Sequence, residues 1–539
     1  MKSRCITSKI AAFAITVAAA ISPAISGVIV GTGASPSKTQ LGAATATAFR
    51  VSPNNMGHII LVPYFTAQNG NMTVLHLVNN DRSNGKVIRL RFRGAHNGDS
   101  LLSMLVTLAA GDIWTGAVSA GPDGRAQLTT GDNSCTLPSM KAGVPQPFLT
   151  SRLNSSLSAP QLANHTREGA IEAIVTADIP FVWQYGNTGK EPSTVLTATR
   201  PFNGWPACTA SVLESTLQTD TDDEATAASR GLAGPTGKVG ATWYIMDVPG
   251  ATTFSGAATH IEAVTQAGTP ARGNYALFPA TNQIIAAPER YTSDPLLVSA
   301  GLAFRSKRKD GTTDVPTTEA VVQALAHDFP DLSTPYFLPA SAINARTTTA
   351  ELSNLLTAGS IYNQYSTESS IAAQTDWLVA LPTKRYHTGQ DYAQPVKALA
   401  TIFSVVPSQG DQLFSSDNTT LVARGDGQLL MCSPSNYQIF DREATSITNG
   451  AVIVTAPPTP TLCGATPVLT FMRDISALSA SVTRTPWPSS FTTGMAWMGL
   501  YGAGLPVIGS AFLKLTNPNA TPGIAGRYGI LYPHMIEKP

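Results

Sequence analysis

The chain has 539 residues, a formal net charge of +1 and 13% charged residues, against roughly 25% in an ordinary soluble domain. So small a net charge disfavours nucleic acid and membrane surfaces as general partners, and normal apolar content with few charges excludes disorder. A surface of Thr, Ser, Asn, Gln and Gly suits an exported protein that sits among neutral polymers or among copies of itself.

Lys2, Arg4 and Lys9 precede the uncharged run "IAAFAITVAAAI", Ser22, Pro23 and the small-residue site "AIS" before Gly27. This order predicts a cleaved secretory signal over residues 1–26. An uncleaved anchor is the rival, but Pro23 interrupts a run that would need about 20 apolar residues. Residues 27–48, rich in Ala, Thr, Gly and Ser, read as a flexible start. The remaining length exceeds a single core, which implies two or more domains.

Over 49–150 nearly everything is strand signal. "HIILVPYF" (58–65), "MTVLHLV" (72–78), "KVIRLRFR" (86–93), "LLSMLVTL" (101–108) and "DIWTGAV" (112–118) are separated by turn chemistry such as "NNDRSNG" and "GPDG". An N-terminal antiparallel β-sandwich is expected. Within "KVIRLRFR", period two turns Ile88, Leu90 and Phe92 to the core and Arg89, Arg91 and Arg93 to the other face. The plain reading of the arginines is a solvated ladder that discourages edge pairing; the sharper one is recognition of an anionic glycan or of a neighbouring subunit.

From 151 to 370 the pattern is mixed β with helical insertions. "EGAIEAIVTADIPFVW" (168–183) and "GKVGATWYIMDV" (237–248) predict strands. Thr221 with Glu224, and Thr348 with Glu351, predict capping boxes for two short helices ended at Gly231 and Gly359. A third helix is expected over Thr317–Asp328, stopped by Pro330. The segment 371–539 returns to strands, a C-terminal β-rich domain that is either a second antiparallel sandwich or a continuation of the first. They include "DWLVALP" (376–382), "VKALATIFSVV" (396–406), "GAVIVTA" (450–456) and "PVIGSAFLKL" (506–515). Residues 485–513 carry no charge, but their prolines and glycines favour buried strands over an integral membrane span. The fold class is therefore mainly β, antiparallel β-sandwich domains with a few short covering helices.

Cys5 falls in the signal. Cys135, Cys208, Cys432 and Cys463 remain, and four thiols in an exported protein imply two disulfides. Three connectivities are possible; the pairing expected is Cys135 with Cys208 and Cys432 with Cys463, each within one half of the chain. No CxxC spacing suggests zinc or redox work.

Several segments carry a resemblance: "LVPYFTAQNGNMTVLHLVNNDRSNGKVIRLRFRGAHNGDSLLSMLVTLAAGDIWTGAV" at 61–118, then "SCTLP" at 134–138, "REGAIEAI", "TDWLVALPTKRYHT" at 375–388 and "LCGATPVLTF" at 462–471. In content and order the chain resembles a family of uncharacterised exported proteins of proteobacteria, often labelled cell-surface proteins. The resemblance implies an exported, cell-associated protein and supplies no catalytic or binding residues.

Ser119 in "AVSAG" falls short of a nucleophile elbow, because a strand and not a helix follows it. The histidines are scattered singly, so no metal is expected. "DTDDE" (220–224) lacks the spacing of a calcium loop and suits a helix's first turn. "RSKRKD" (305–310) reads as an exposed basic turn, with an anionic-polymer contact as its alternative. In "TDWLVALPTKR", Trp377 and Arg385 are either a brace at a strand end or a ligand site with an aromatic platform and a charge reader. No Gly-rich loop supports nucleotide binding, and no cofactor is expected.

The leading expectation is an exported, disulfide-stapled protein with a structural or interaction role at the outer surface, its partners being copies of itself or an envelope polysaccharide. The alternative is a glycan or anionic-polymer binding module, with Arg89, Arg91, Arg93, Trp377 and Arg385 as tentative ligand-binding residues. A secreted hydrolase is weaker, and would need a deep pocket holding a carboxylate pair or a Ser and a His within hydrogen-bond reach.

Overall fold

A computed structural model describes residues 28–276, 304–308 and 344–539, less positions 152, 155, 182, 186–188, 218–222, 391–400, 406–412, 415–418, 425–427, 446–458, 472–474, 488–490 and 522. The expected signal, the helix Thr317–Asp328, the strand 450–456 and the end of the basic run at 309–310 lie outside these residues. The rest of that run lies on the strand Phe304–Arg308.

Two antiparallel sheets make the first layer pair. Its strands are β1 (Ala48–Val51), β2 (Ile59–Thr66), β3 (Asn71–Asn79), β4 (Asn84–Gly94), β5 (Ser100–Leu108), β6 (Ile113–Ala120), β7 (Ala126–Thr130), β8 (Thr136–Leu137), β9 (Gln146–Pro147), β10 (Glu168–Pro180), β11 (Val239–Asp247), β12 (Thr252–Ala257) and β13 (Thr259–Val264). A seven-stranded sheet runs β1-β13-β2-β10-β4-β5-β8 and a six-stranded sheet runs β9-β7-β6-β3-β11-β12. Of the strands from beyond residue 150, β10 is the middle strand of the first sheet and β11 an inner strand of the second, so the expected division at 150 is not a sheet boundary. Between the layers lies one apolar core with Tyr64, Ile88, Leu90 and Phe92 from one sheet and Leu75, Leu77, Trp114 and Trp243 from the other.

The second half adds β14 (Ser360–Ser366), β15 (Gln374–Ala380), β16 (Thr420–Ala423), β17 (Leu429–Asp441), β18 (Thr459–Cys463), β19 (Val468–Thr470), β20 (Arg484–Pro486), β21 (Thr493–Leu500), β22 (Ile508–Thr521), β23 (Ile524–Pro533) and β24 (Met535–Glu537). They form the sheets β16-β17-β21-β14-β24, with β18 beside β17, and β20-β19-β15-β22-β23. The charge-free stretch 485–513 runs through β20, β21 and β22, and no helix among the described residues is long and apolar enough to cross a membrane. Both expected disulfides are present, Cys135–Cys208 and Cys432–Cys463.

The helices are short. α1 (Ala159–His165) leads into β10, and the others cover a sheet, as their amphipathic patterns imply. α2 (Thr194–Thr199), α3 (Ala210–Leu217) and α4 (Glu224–Ser229) lay Val195, Leu196, Leu213, Leu217 and Ala228 against Val87, Leu105 and Ile179 of the seven-stranded sheet. α5 (Asn344–Leu356) packs Leu352 and Leu356 against Leu61, Ile174 and Ile261 of the same sheet. The cap of α4 is Asp223, which accepts from the Thr226 amide at 2.7 Å, and not Thr221. Glu224 is drawn away to fix the start of the chain, accepting from the amides of Thr32 and Leu41 at 2.6 and 2.7 Å. Residues 28–48 are correspondingly packed and not a flexible start: Ile29, Leu41, Ala44 and Ala46 are buried.

Candidate functional site

The arginine ladder is not on a wet face. Ile88, Leu90 and Phe92 do enter the core between the sheets, but Arg89, Arg91 and Arg93 are themselves buried, because α2 to α5 and the second half cover the other side of the sheet. Register sets Glu172 opposite Arg91, on the same face. Glu172 Oε2 accepts from Arg93 Nε at 3.2 Å, and its Oε1 lies 3.6 Å from Arg385 Nε. Arg93 and Arg385 therefore share one carboxylate across the seam between the halves. The space they line with Gly98 and Pro382 has a volume of about 20 Å³, room for about one water. It is a brace, since a buried pair of this kind fixes geometry and offers nothing to solvent.

Trp377 is not a platform. It is buried among Phe471, Trp487 and His534, with ring centroids 5.5, 5.3 and 5.2 Å away, and its Nε1 donates to the Gln364 carbonyl at 3.2 Å. The neighbouring Asp376 is also turned inward, its Oδ2 accepting from the Ser476 hydroxyl and the Leu478 amide. The five tentative ligand residues thus divide between a charged seam and an aromatic core.

A serine and a histidine do meet. Ser353 Oγ lies 3.0 Å from His387 Nε2 and donates to Thr383 Oγ1 at 2.9 Å. Ser353 is fully buried and does not line the space beside Arg93. Asp81 and Asp178 come together through a shared cation: Lys86 Nζ donates to them at 2.9 and 2.6 Å, all three buried. Among the described residues no group of three or more His, Cys, Asp or Glu is arranged to hold a metal.

An open cleft of about 360 Å³ lies elsewhere on the seam, within the size range of ligand sites, which favour such junctions. The first half contributes Gln68, from the turn after β2, with Asn164 and Arg167 at the end of α1. The second half contributes Arg424, Ser481 and Arg484. Each guanidinium has an anchor. Arg167 Nη2 donates to Asn164 Oδ1 at 3.2 Å, Arg424 Nη1 to the Val482 carbonyl, and Arg484 Nε to Thr470 Oγ1 at 3.2 Å. No carboxylate lines the cleft among the described residues.

Beneath it Glu168 is buried, and desolvation raises its pKa above the ordinary carboxylate value. It is occupied from within, its Oε1 accepting from the Ser481 amide at 2.7 Å and from Gln68 Nε2 at 2.8 Å. That carboxylate is committed to the interior, and the lining of the cleft carries positive charge. Arg167, Arg424 and Arg484 are too far apart in sequence for any periodicity to join them; the single hint is that Arg167 opens the segment "REGAIEAI".

The fold and the cleft together define a mainly β protein of antiparallel layers with a basic, polar cleft on the seam between its halves. No protein family, curated protein or solved structure matches the chain.

Proposed function

We propose that this is an exported, cell-surface protein that binds an anionic polymer, such as an acidic polysaccharide of the envelope, without a catalytic step. The observation that carries this is the cleft in which three arginines and the amides of Gln68 and Asn164 line about 360 Å³ with no carboxylate among the described residues of its lining. Guanidinium groups take carboxylates and sulfates through paired, charge-assisted hydrogen bonds. The disulfides fit an oxidising compartment, and the resemblance to exported cell-surface proteins points the same way. The test is retention on immobilised polygalacturonate at low salt. The oxidised protein should be retained and released by salt, and R167S/R424S/R484S should lose about tenfold in affinity per arginine. Equal retention of the triple variant would contradict the proposal.

Self-association is a second reading, favoured by the short edge strand β24, where Met535 and Ile536 are exposed and a second strand could add. Light scattering over a concentration series separates the two.

A further inference from the structure

Between α2 and α3 the sequence reads Pro201, Phe202, Asn203, Gly204, Trp205, Pro206. Asn-Gly is the strongest short signal for a two-residue hairpin turn, which needs positive φ at both positions. Asn203 and Gly204 have φ of 52° and 87°. The turn is closed on both sides, the Phe202 amide donating to the Trp205 carbonyl at 3.0 Å and the Trp205 amide to the Phe202 carbonyl at 3.2 Å. Residues paired in this way project from the same face. Phe202 is 80% and Trp205 66% exposed, whereas Trp114, Trp243, Trp377 and Trp487 are all buried.

The chain on either side holds the turn rigid. Prolines flank it and fix φ there. Before it, the Arg200 amide closes α2 on the Leu196 carbonyl at 2.8 Å; after it, Cys208 donates its amide to Ala198 at 2.9 Å and is bridged to the buried Cys135. A third ring, half-exposed Phe181, lies 4.7 Å beneath the Arg200 guanidinium. Two large aromatic rings on one face of a turn, more exposed than the other Phe, Tyr and Trp rings among the described residues, mark a contact site, and their stiffness lowers the entropy lost on binding.

We propose that this turn is a carbohydrate-stacking site that takes the apolar face of a sugar ring. The surroundings select that occupant. Exposed residues of the same segment include Thr194, Thr197, Asn203 and Thr209, hydroxyls and an amide that suit the ring's equatorial edge. Arg200 is the one charged residue between Pro192 and Leu213, short of the basic rim that holds an aromatic anchor on an anionic lipid surface. Two or three rings are also too small an apolar area for a stable protein partner. The site rests on a different observation from the arginine cleft, and a neutral sugar tests it separately.

The experiment measures acrylamide quenching of tryptophan emission, with affinity electrophoresis, using hydroxyethylcellulose, amylopectin and a soluble β-1,3-glucan. Trp205 is the most exposed of the tryptophans whose burial is described, so the quenching lost in W205S reports on it. At least one neutral polysaccharide should shield it and slow migration. F202S and W205S should each weaken retention about tenfold with unchanged melting temperature, W205F should keep it, and R167S/R424S/R484S should leave it intact. Unchanged migration and quenching with all three polysaccharides would overturn the proposal. So would shielding by phosphatidylglycerol vesicles or by raised protein concentration in place of sugar, or loss of neutral binding in the arginine variant.

Discussion

His58 accepts the Ala263 amide on Nδ1 and directs Nε2 at the Pro235 carbonyl, and His534 accepts Asn363 Nδ2 on Nδ1 and directs Nε2 at the Leu378 carbonyl. Only a neutral ring protonated at Nε2 satisfies both partners in each case. Burial pushes His58 and His96 down to about 3, and His260 and His534 down to about 4. The unfolded chain takes up these protons as pH falls through about 6.5 while the folded chain does not. Their contribution is therefore complete above pH 6.5 and is lost as pH falls towards 4, at roughly 1.4 kcal/mol per pH unit for each ring. Asp112, Glu168 and Asp376, raised by burial, act with the opposite sign, but four rings outnumber three carboxylates. Urea midpoints should fall from pH 7.5 to 5, and H534Q, which cannot take the proton, should flatten that dependence by about one proton. A flat profile in the parent protein would show that the rings are charged in the fold.

At the scale of elements, most strands were legible: alternation and turn chemistry place β2 to β6 within two residues of their bounds. What the alternation could not give is which face is wet. "KVIRLRFR" alternates like a half-exposed strand, yet inside the protein Glu172 receives the charge of Arg93 and shares it with Arg385, at sequence distances where no local signal reaches. The same limit hid the cleft, whose arginines are joined only by the fold. The disulfides were legible because each closes within one half, with separations of 73 and 31 residues. In the chain-entropy account each stabilises by about 4 kcal/mol. Replacing Cys135 and Cys208 by serine should lower the unfolding free energy by about that amount and release the aromatic turn, so that acrylamide quenching of Trp205 rises. A loss under about 1 kcal/mol would place the constraint elsewhere.

At the scale of the whole molecule, the second half has an aromatic core of its own, but the halves are also joined by a shared one. Leu378, Val468, Leu478 and Phe512 belong to the same apolar cluster as the sandwich, with Phe512 against Trp243 and Phe254 at 6.2 and 5.5 Å. Asn71 Nδ2 donates to the Leu478 carbonyl at 3.0 Å, and Lys514 pairs with Asp247. Such a seam should unfold with the sheets it joins: calorimetry should give one transition for the described halves, and two well-separated transitions would mean that the cleft's walls move independently. A rigid seam holds Arg167 from one half at a fixed spacing from Arg424 and Arg484 of the other. The most direct measurement of that arrangement is the Kd for polygalacturonate across a salt series, the parent protein beside the single, double and triple serine variants of these arginines. The expected result is a log Kd that rises linearly with log salt, with a slope that falls by about one for each arginine removed. An affinity indifferent to salt, or a slope unchanged in the triple variant, would contradict it.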